Sequence, residues 1–281
     1  MPTVLDTIDG GTRYLEKRGI TDARLSMQLM AAQILGCTRM QLYMDFDKPM
    51  TEDQLAPLRE NLKQRGEGVP LQHILGEVEF FKRTFKCDNR ALVPRPETEE
   101  LISILLELGK SSPFKRILDL CTGSGVIGLT LAAELPEAEV TCTDISPEAL
   151  ALAKENAETL NLPLIGFIES NAFDKVTGTY DLIVSNPPYV AESERPNASK
   201  ELHHDPALAL YSGADGLDFI RQIIPAAKAH LNEGAHLALE IGHAQSEAVQ
   251  ALLTEHSYQN ITVAKDLNQI PRFPIAQKGN H

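Results

Sequence analysis

Arg116-Ile117-Leu118-Asp119-Leu120-Cys121-Thr122-Gly123-Ser124-Gly125-Val126-Ile127-Gly128 decides the fold. The run 116–120 is apolar and of strand length, and 126–135 is apolar and of helix length. Between them, Gly123, Gly125 and Gly128 keep the G-x-G-x-x-G spacing, which lets a backbone turn tightly and come close to a ligand. Working outward, the same alternation continues. Residues 139–143, 164–168, 182–185 and 236–240 read as further strands. Ser146 and Pro147 supply the N-cap and first turn of a helix running to about 159. Another helix is expected near 217–231. Such alternation implies a mainly parallel sheet covered on both faces. Ligands of these sheets bind outside the carboxyl ends of the strands. A site is therefore expected around 121–125, 144, 170–172 and 186–189.

The glycine spacing alone does not choose the ligand. Asp119 stands four residues before Gly123. A carboxylate is out of place beside a pyrophosphate but suits a ligand with a cationic ammonium and sulfonium. The run from Asp119 to Gly125 resembles motif I of the S-adenosylmethionine-dependent methyltransferases. That resemblance implies cofactor contacts from Asp119, Thr122, Gly123, Ser124 and Gly125. Asp144 follows Gly123 by 21 residues and ends the second strand, where a carboxylate accepts hydrogen bonds from ribose hydroxyls. NAD and S-adenosylmethionine both carry a ribose, so Asp144 supports a nucleoside without separating the two. After the third strand, Asn171 and Ala172 occupy the place where such methyltransferases often set an acid facing the adenine amino group. Asn171 offers a polar side chain there without a charge.

The chemistry is expected at Asn186-Pro187-Pro188-Tyr189. Two prolines after a strand stop the ladder and stiffen the chain. Because prolines cannot donate, the carbonyls of Asn186 and Pro187 stay available as acceptors beside the Asn186 side-chain oxygen. A rigid acceptor cluster next to an aromatic ring suits a planar NH2 group. Asn-Pro-Pro-Tyr resembles the motif of amino-group methyltransferases acting on adenine, cytosine or glutamine side chains, and Asn186 also falls among the implied cofactor contacts. These nitrogens are conjugated and weakly nucleophilic, so positioning and preorganised dipoles carry the acceleration and no strong base is required.

Residues 1–75 read as a helical bundle. Thr21-Asp22 precedes Leu25, Leu29, Met30, Ile34 and Leu35 at helical spacing, with Gly36 as a stop. Thr51, Glu52 and Asp53 open another helix, with Gly66 beyond it. A helix around 5–15 is expected to be interrupted by Gly10-Gly11. Val78, Phe80, Phe81, Phe85 and Val93 around Lys82-Arg83 predict a β-hairpin over 76–93. The expected domains are thus 1–75, a linker 76–93, and 94–281.

Further stretches narrow the family. Pro70-Leu71-Gln72-His73-Ile74-Leu75-Gly76, Leu92-Val93-Pro94-Arg95-Pro96-Glu97-Thr98-Glu99, Asp205-Pro206-Ala207-Leu208, Gly213 to Leu217, and Asp266-Leu267 with Arg272-Phe273 all resemble the peptide chain release factor N5-glutamine methyltransferases of the HemK/PrmC type. The resemblance covers nearly the whole chain. It departs at Cys121, where the family usually has Gly, and at Asn171, where it usually has Asp. It implies an α/β, Rossmann-like class I methyltransferase with a mainly parallel seven-stranded sheet and an amino-terminal helical domain that recognises the protein substrate. It also implies methyl transfer from S-adenosylmethionine to the glutamine of the Gly-Gly-Gln motif in class 1 release factors. Asn186 and Pro187 would bind the glutamine amide, with Pro188 and Tyr189 walling the pocket and Arg95, Leu92 and Thr98 close by. Glu240, at a strand end, reads as a residue fixing a neighbouring loop.

Charge separates the competing function classes. Residues 1–85 hold 11 Lys+Arg against 12 Asp+Glu, whereas 86–281 hold 15 against 27. An enzyme of adenine or cytosine in nucleic acid shares Asn-Pro-Pro-Tyr but needs a basic surface, which the acidic part lacks. A non-catalytic binding protein would not need the intact acceptor cluster. An NAD oxidoreductase fits poorly with Asp119 and lacks a catalytic His or Lys-Tyr pair. Cys37, Cys87, Cys121 and Cys142 have no C-x-x-C spacing, and the adjacent His203 and His204 diverge from one loop, so no metal site is expected. No apolar stretch reaches the ~18 residues of a membrane span. Met1-Pro2-Thr3-Val4-Leu5-Asp6 lacks the pattern of a secretory signal. A cytoplasmic protein without membrane contact is expected. The long aperiodic stretch 191–212 reads as a flap over the substrate opening.

Overall fold

Side-chain alternation along three strands builds the larger unit. In β3 (Arg116–Leu120), Ile117 points to one face of the sheet while Leu118 and Leu120 point to the other. In β6 (Tyr180–Ser185) and β7 (Leu231–Leu239), Leu182, Val184 and Ala238 share the Ile117 face. Ile183, Leu237 and Leu239 take the opposite face. Both faces are apolar, so both are covered. On one side lie α6 (Pro96–Ser111), α7 (Val126–Glu134) and α8 (Pro147–Thr159), through Leu101, Ile102, Leu129, Leu131 and Ala157. On the other lie α9 (Asp218–Ala227) and α10 (Ser246–Glu255), through Ile220, Ile223, Val249 and Leu253.

The structure, a computed structural model, describes residues 1–162 and 164–279. They pack as two compact units, Met1–Glu77 with Ser199–His204, and Val78–Ala198 with Asp205–His281. Residues 280 and 281, which end the expected 94–281 domain, lie outside the described residues. In the larger unit the described strands form a seven-stranded sheet of order β5-β4-β3-β6-β7-β9-β8, with β4 (Glu139–Asp144), β5 (Gly166–Glu169), β8 (Tyr258–Lys265) and β9 (Pro271–Lys278). The strands from β5 to β7 run parallel, and β9 is antiparallel to both β7 and β8. Leu120 is in register with Thr143 and with Ser185. The loops after β3, β4 and β6 therefore leave the sheet at one level.

The strand expected at 164–168 begins instead at Gly166, and the helix expected at 217–231 ends at Ala227, where Lys228–His230 tighten into a 3-10 turn. Periodicity did not disclose β8 and β9. Pro271 and Pro274 argue against a central strand, yet Pro274 stands just past Ala238↔Ile275, where the pairing with β7 ends. A two-stranded sheet of β1 (Glu77–Phe80) and β2 (Arg83–Lys86) turns at Phe81 and Lys82, both with positive φ. Phe80 and Phe85 bury against Leu101 and Ile102, so the hairpin is part of the core of the larger unit. The stretch 191–212 contains the 3-10 turns Glu192–Asn197, Glu201–His204 and Ala207–Ala209.

The smaller unit contains α1 (Val4–Glu16), α2 (Ala23–Leu35), α3 (Arg39–Met44), α4 (Glu52–Glu67) and α5 (Leu71–Leu75) around Ile8, Leu15, Met27, Met30, Leu42 and Leu58. Gly10-Gly11 does not interrupt α1. A Cβ on Gly11 would lie 2.4 Å from Met27 Sδ, so the glycine admits close packing of α2. Helix α4 runs through Gly66 and stops at Gly68, whose φ of 101° is left-handed. Buried Arg65 ion-pairs with Asp22 at 2.7 Å and with Glu201 at 2.6 Å. That pair fastens Ser199–His204, distant in sequence, to this unit. No described helix is long and apolar enough to cross a membrane.

Candidate active site

A cavity of about 1080 Å³, counted with its open mouth, lies at the carboxyl ends of β3 to β6. The glycine loop forms one wall. Cys121, Gly123 and Gly125 have φ of 60°, 55° and 86°, the left-handed region that favours glycine. Cys121 thus adopts a conformation that a Cβ opposes, which accounts for the glycine preference at this place. The loop is held from beneath. Thr122 donates its backbone N–H to Thr143 O at 2.9 Å and its hydroxyl to Asp119 Oδ2 at 2.5 Å. Gly128 donates its N–H to the same Asp119 oxygen at 2.9 Å. Asn156 on α8, fully buried, donates to Ser124 O at 2.9 Å and to Lys86 O at 3.2 Å.

Asp119 departs from the sequence expectation. It is completely buried and is not among the residues lining the cavity. It shares the sheet face of Ile117 and looks toward α7, so it anchors the loop and does not present charge to a ligand. Its Oδ1 has no hydrogen-bond partner among the described residues. Burial pushes its carboxyl up to about 7, against the hydrogen bonds from Thr122 and Gly128. The folded chain therefore retains a proton that the unfolded chain releases above 3.8. This contribution to stability is complete below the unfolded pKa and is lost as pH rises through the folded one. Relative to Asp119→Asn, the wild-type chain should lose stability between about pH 4 and about pH 7. Denaturant midpoints across that range check it, and parallel curves for the two chains would refute it.

Asp144 does line the cavity. Its Oδ2 accepts from Gly123 N and its Oδ1 from Ser146 N, each at 2.9 Å. Burial raises its pKa against those backbone donors. Each oxygen keeps a lone pair for a further donor. Thr122, Gly123, Ser124, Asn171 and Ala172 also reach the cavity, whereas Gly125 caps α7 behind it. Asn171 is exposed and donates to Asp174 Oδ2 at 3.3 Å.

The acceptor cluster stands at the other wall. Asn186 and Pro188 line the cavity, while buried Pro187 and half-buried Tyr189 are not on its lining. Asn186 Oδ1 is buried without a partner among the described residues. Asn186 Nδ2 donates to Thr98 Oγ1 at 3.4 Å, and Thr98 Oγ1 donates to Glu240 Oε2 at 2.8 Å. The Tyr189 hydroxyl donates to Glu240 Oε1 at 3.4 Å. Burial pushes Glu240 up to about 7; Thr98 and Arg272 act to lower it, and Glu97 acts to raise it. Burial also raises the Tyr189 hydroxyl. Leu92, Arg95 and Thr98 border the same cavity, and Arg95 pairs with the fully buried Asp205 carboxylate at 3.1 Å. Asp205 also accepts from Val93 N at 3.4 Å. Sequence reasoning missed the clasp of Asn156 and the bracing of Arg95 by Asp205. An Asn inside an amphipathic helix and an Asp before a proline were the signals available.

A parallel sheet with a glycine loop after its central strand, an acid after the next and Asn-Pro-Pro-Tyr after the fourth defines a class I methyltransferase fold. Residues 98–233 match the methyltransferase small domain, and residues 6–76 match the PrmC N-terminal domain. The chain is 38% identical over 273 residues to the release factor glutamine methyltransferase of Deinococcus radiodurans, covering 97% of this chain and 98% of that one. It is 35% identical over 279 residues to the protein of the same name from Koribacter versatilis, covering 98% and 99%. A methyltransferase from Pyrococcus furiosus shares the fold with a TM-score of 0.54 at 19% identity, over 82% of this chain and 100% of that one. The chain belongs to the release factor glutamine methyltransferase family.

Proposed function

We propose that this chain transfers a methyl group from S-adenosylmethionine to the side-chain amide nitrogen of the glutamine in the Gly-Gly-Gln motif of class 1 peptide chain release factors, in the cytoplasm, and thereby modulates translation termination. The observation that carries this reading is Asn186, which lines the cavity that also holds Asp144 and whose buried Oδ1 has no hydrogen-bond partner among the described residues. The donor set fits the cofactor. Asp144 offers carboxylate lone pairs to ribose hydroxyls, the loop at Thr122 to Ser124 allows close approach, and Asn171 and Ala172 border the place for a base. When bound, S-adenosylmethionine supplies an electrophilic methyl group.

The residues of this chain do the rest by positioning. Asn186 Oδ1 accepts one N–H of the substrate amide. Among the described residues no backbone N–H is directed at the carbonyls of Asn186 or Pro187; Pro187 itself is off the cavity lining, but its carbonyl leads into Pro188, which is on it, and is assigned the other. Held by two fixed acceptors, the nitrogen needs no reorganisation of its surroundings as positive charge develops on it, and it gives up one N–H proton past its acceptor to solvent. Tyr189 braces the turn through Glu240, and Arg95, braced by Asp205, places a cation at the rim. The amino-terminal helical domain engages the release factor, so that binding energy from remote parts of the substrate helps to seat the glutamine. Neither nucleic acid nor membrane nor metal has a part in this scheme.

Incubation with labelled S-adenosylmethionine and a purified class 1 release factor tests the reading. Label is expected on the wild-type factor and absent from a factor with Ala in place of the Gly-Gly-Gln glutamine. A short Gly-Gly-Gln peptide should be methylated with a much higher KM than the intact factor. Equal labelling of both factors, or transfer to nucleic acid only, would overturn it.

A further inference from the structure

Hydrogen counting around Thr98 shows why the Asn186 amide has one orientation. A threonine hydroxyl carries a single hydrogen, and Thr98 directs its own to Glu240 Oε2 at 2.8 Å. Toward Asn186, Thr98 therefore presents a lone pair. Only the NH2 end of the amide can face it, as Asn186 Nδ2 does at 3.4 Å, which leaves Oδ1 as the end without a partner among the described residues. Were the Thr98 hydrogen free, it could donate to Asn186 Oδ1. The amide would then turn over and set a donor against the substrate NH2. As a carboxylate, Glu240 accepts from both sides, from Thr98 on Oε2 and from the Tyr189 hydroxyl on Oε1. Thr98 lies on α6 and Glu240 follows β7, so two elements remote from the Asn-Pro-Pro-Tyr turn set its polarity.

We propose that Thr98 and Glu240 are positioning residues that fix the orientation of the Asn186 amide and so keep Oδ1 as the acceptor offered to substrate. This deepens the glutamine reading and rests on it. The test compares Thr98→Val, which keeps shape and loses the hydroxyl, with Thr98→Ser, which keeps the hydroxyl. Single-turnover transfer to the release factor at saturating cofactor is expected to fall roughly 10- to 100-fold in Thr98→Val, a share of the loss from deleting one preorganised polar partner. Cofactor Kd and the KM for the factor should stay near wild type, and Thr98→Ser should restore most of the rate. A Thr98→Val chain at the wild-type rate, or a Thr98→Ser chain as slow as Thr98→Val, would overturn the proposal. Wild-type protein that labels no factor would instead count against the glutamine reading. In that case the Asn186 side-chain 15N–1H resonances decide the orientation: a shift in Thr98→Val upholds the proposal and unchanged resonances overturn it.

Discussion

Asn186→Ala is expected to lower single-turnover methyl transfer by ~10²–10³-fold, the usual cost of removing one preorganised hydrogen-bonding partner from a reacting group. The turn itself should survive, since Pro187 and Pro188 restrict the backbone on their own and Gln245 Nε2 still donates to Tyr189 O at 2.8 Å. What disappears is Oδ1, the acceptor that no group among the described residues uses. Asn186→Asp is the sharper variant. It keeps an oxygen in that position, so it should retain more activity than Ala. It also removes the NH2 that faces Thr98 and puts a second carboxylate near Glu240, so it should fall short of wild type. Rapid-quench measurement under saturating cofactor, with binding of both ligands checked separately, distinguishes the three proteins. If Ala turns over as fast as wild type, the acceptor mechanism is wrong whatever the family.

The second large effect is expected at Asp144, where Ala should weaken S-adenosylmethionine binding by roughly 10- to 100-fold or more. Each lost hydrogen bond to a charged acceptor is worth ~1.5–3 kcal/mol. Asp144 has more than a ligand to hold, because its two oxygens also accept from Gly123 N and Ser146 N. Losing it leaves those N–H groups without their acceptor and loosens the wall that Thr122 to Ser124 provide. Asp144→Asn is expected to rescue little, because its NH2 would confront one of the two backbone donors. Titration calorimetry gives the dissociation constant. An unchanged value in a folded Asp144→Ala protein would remove Asp144 from the cofactor site.

The parts of the site that were legible beforehand are those determined over a few residues. Gly123 and Gly125 announce a left-handed loop because other residues are strained there. Pro187 and Pro188 announce a stiff turn with free carbonyls because their rings remove donors. Asp144 stands next to Ser146-Pro147, a helix start readable on its own. Asp119 is less legible. Its charge suggests a ligand contact, but its place two residues after Ile117 puts it on the face that α7 covers. Gly10-Gly11 suggests an interruption and Gly66 a stop; at Gly11 no local signal shows that Met27 fills the space a Cβ would take.

By itself, then, the sequence determined the alternation of strand and helix as far as β7, the end of the sheet at which the site loops gather, and which residue types would meet there. Backbone sterics and side-chain period act between near neighbours and need no further context. Only the tertiary structure decided which way each polar hydrogen points. Thr98 and Asn186 are 88 residues apart, Thr98 and Glu240 are 142 apart, and Arg95 and Asp205 are 110 apart. The same holds for Ser199–His204, which joins the helical unit through Glu201 and Arg65 although it lies within the chain of the other. A buried polar atom takes whichever partner packing brings to it, and its desolvation makes that choice costly to leave unmade. No pattern of spacing within one segment encodes such a partner.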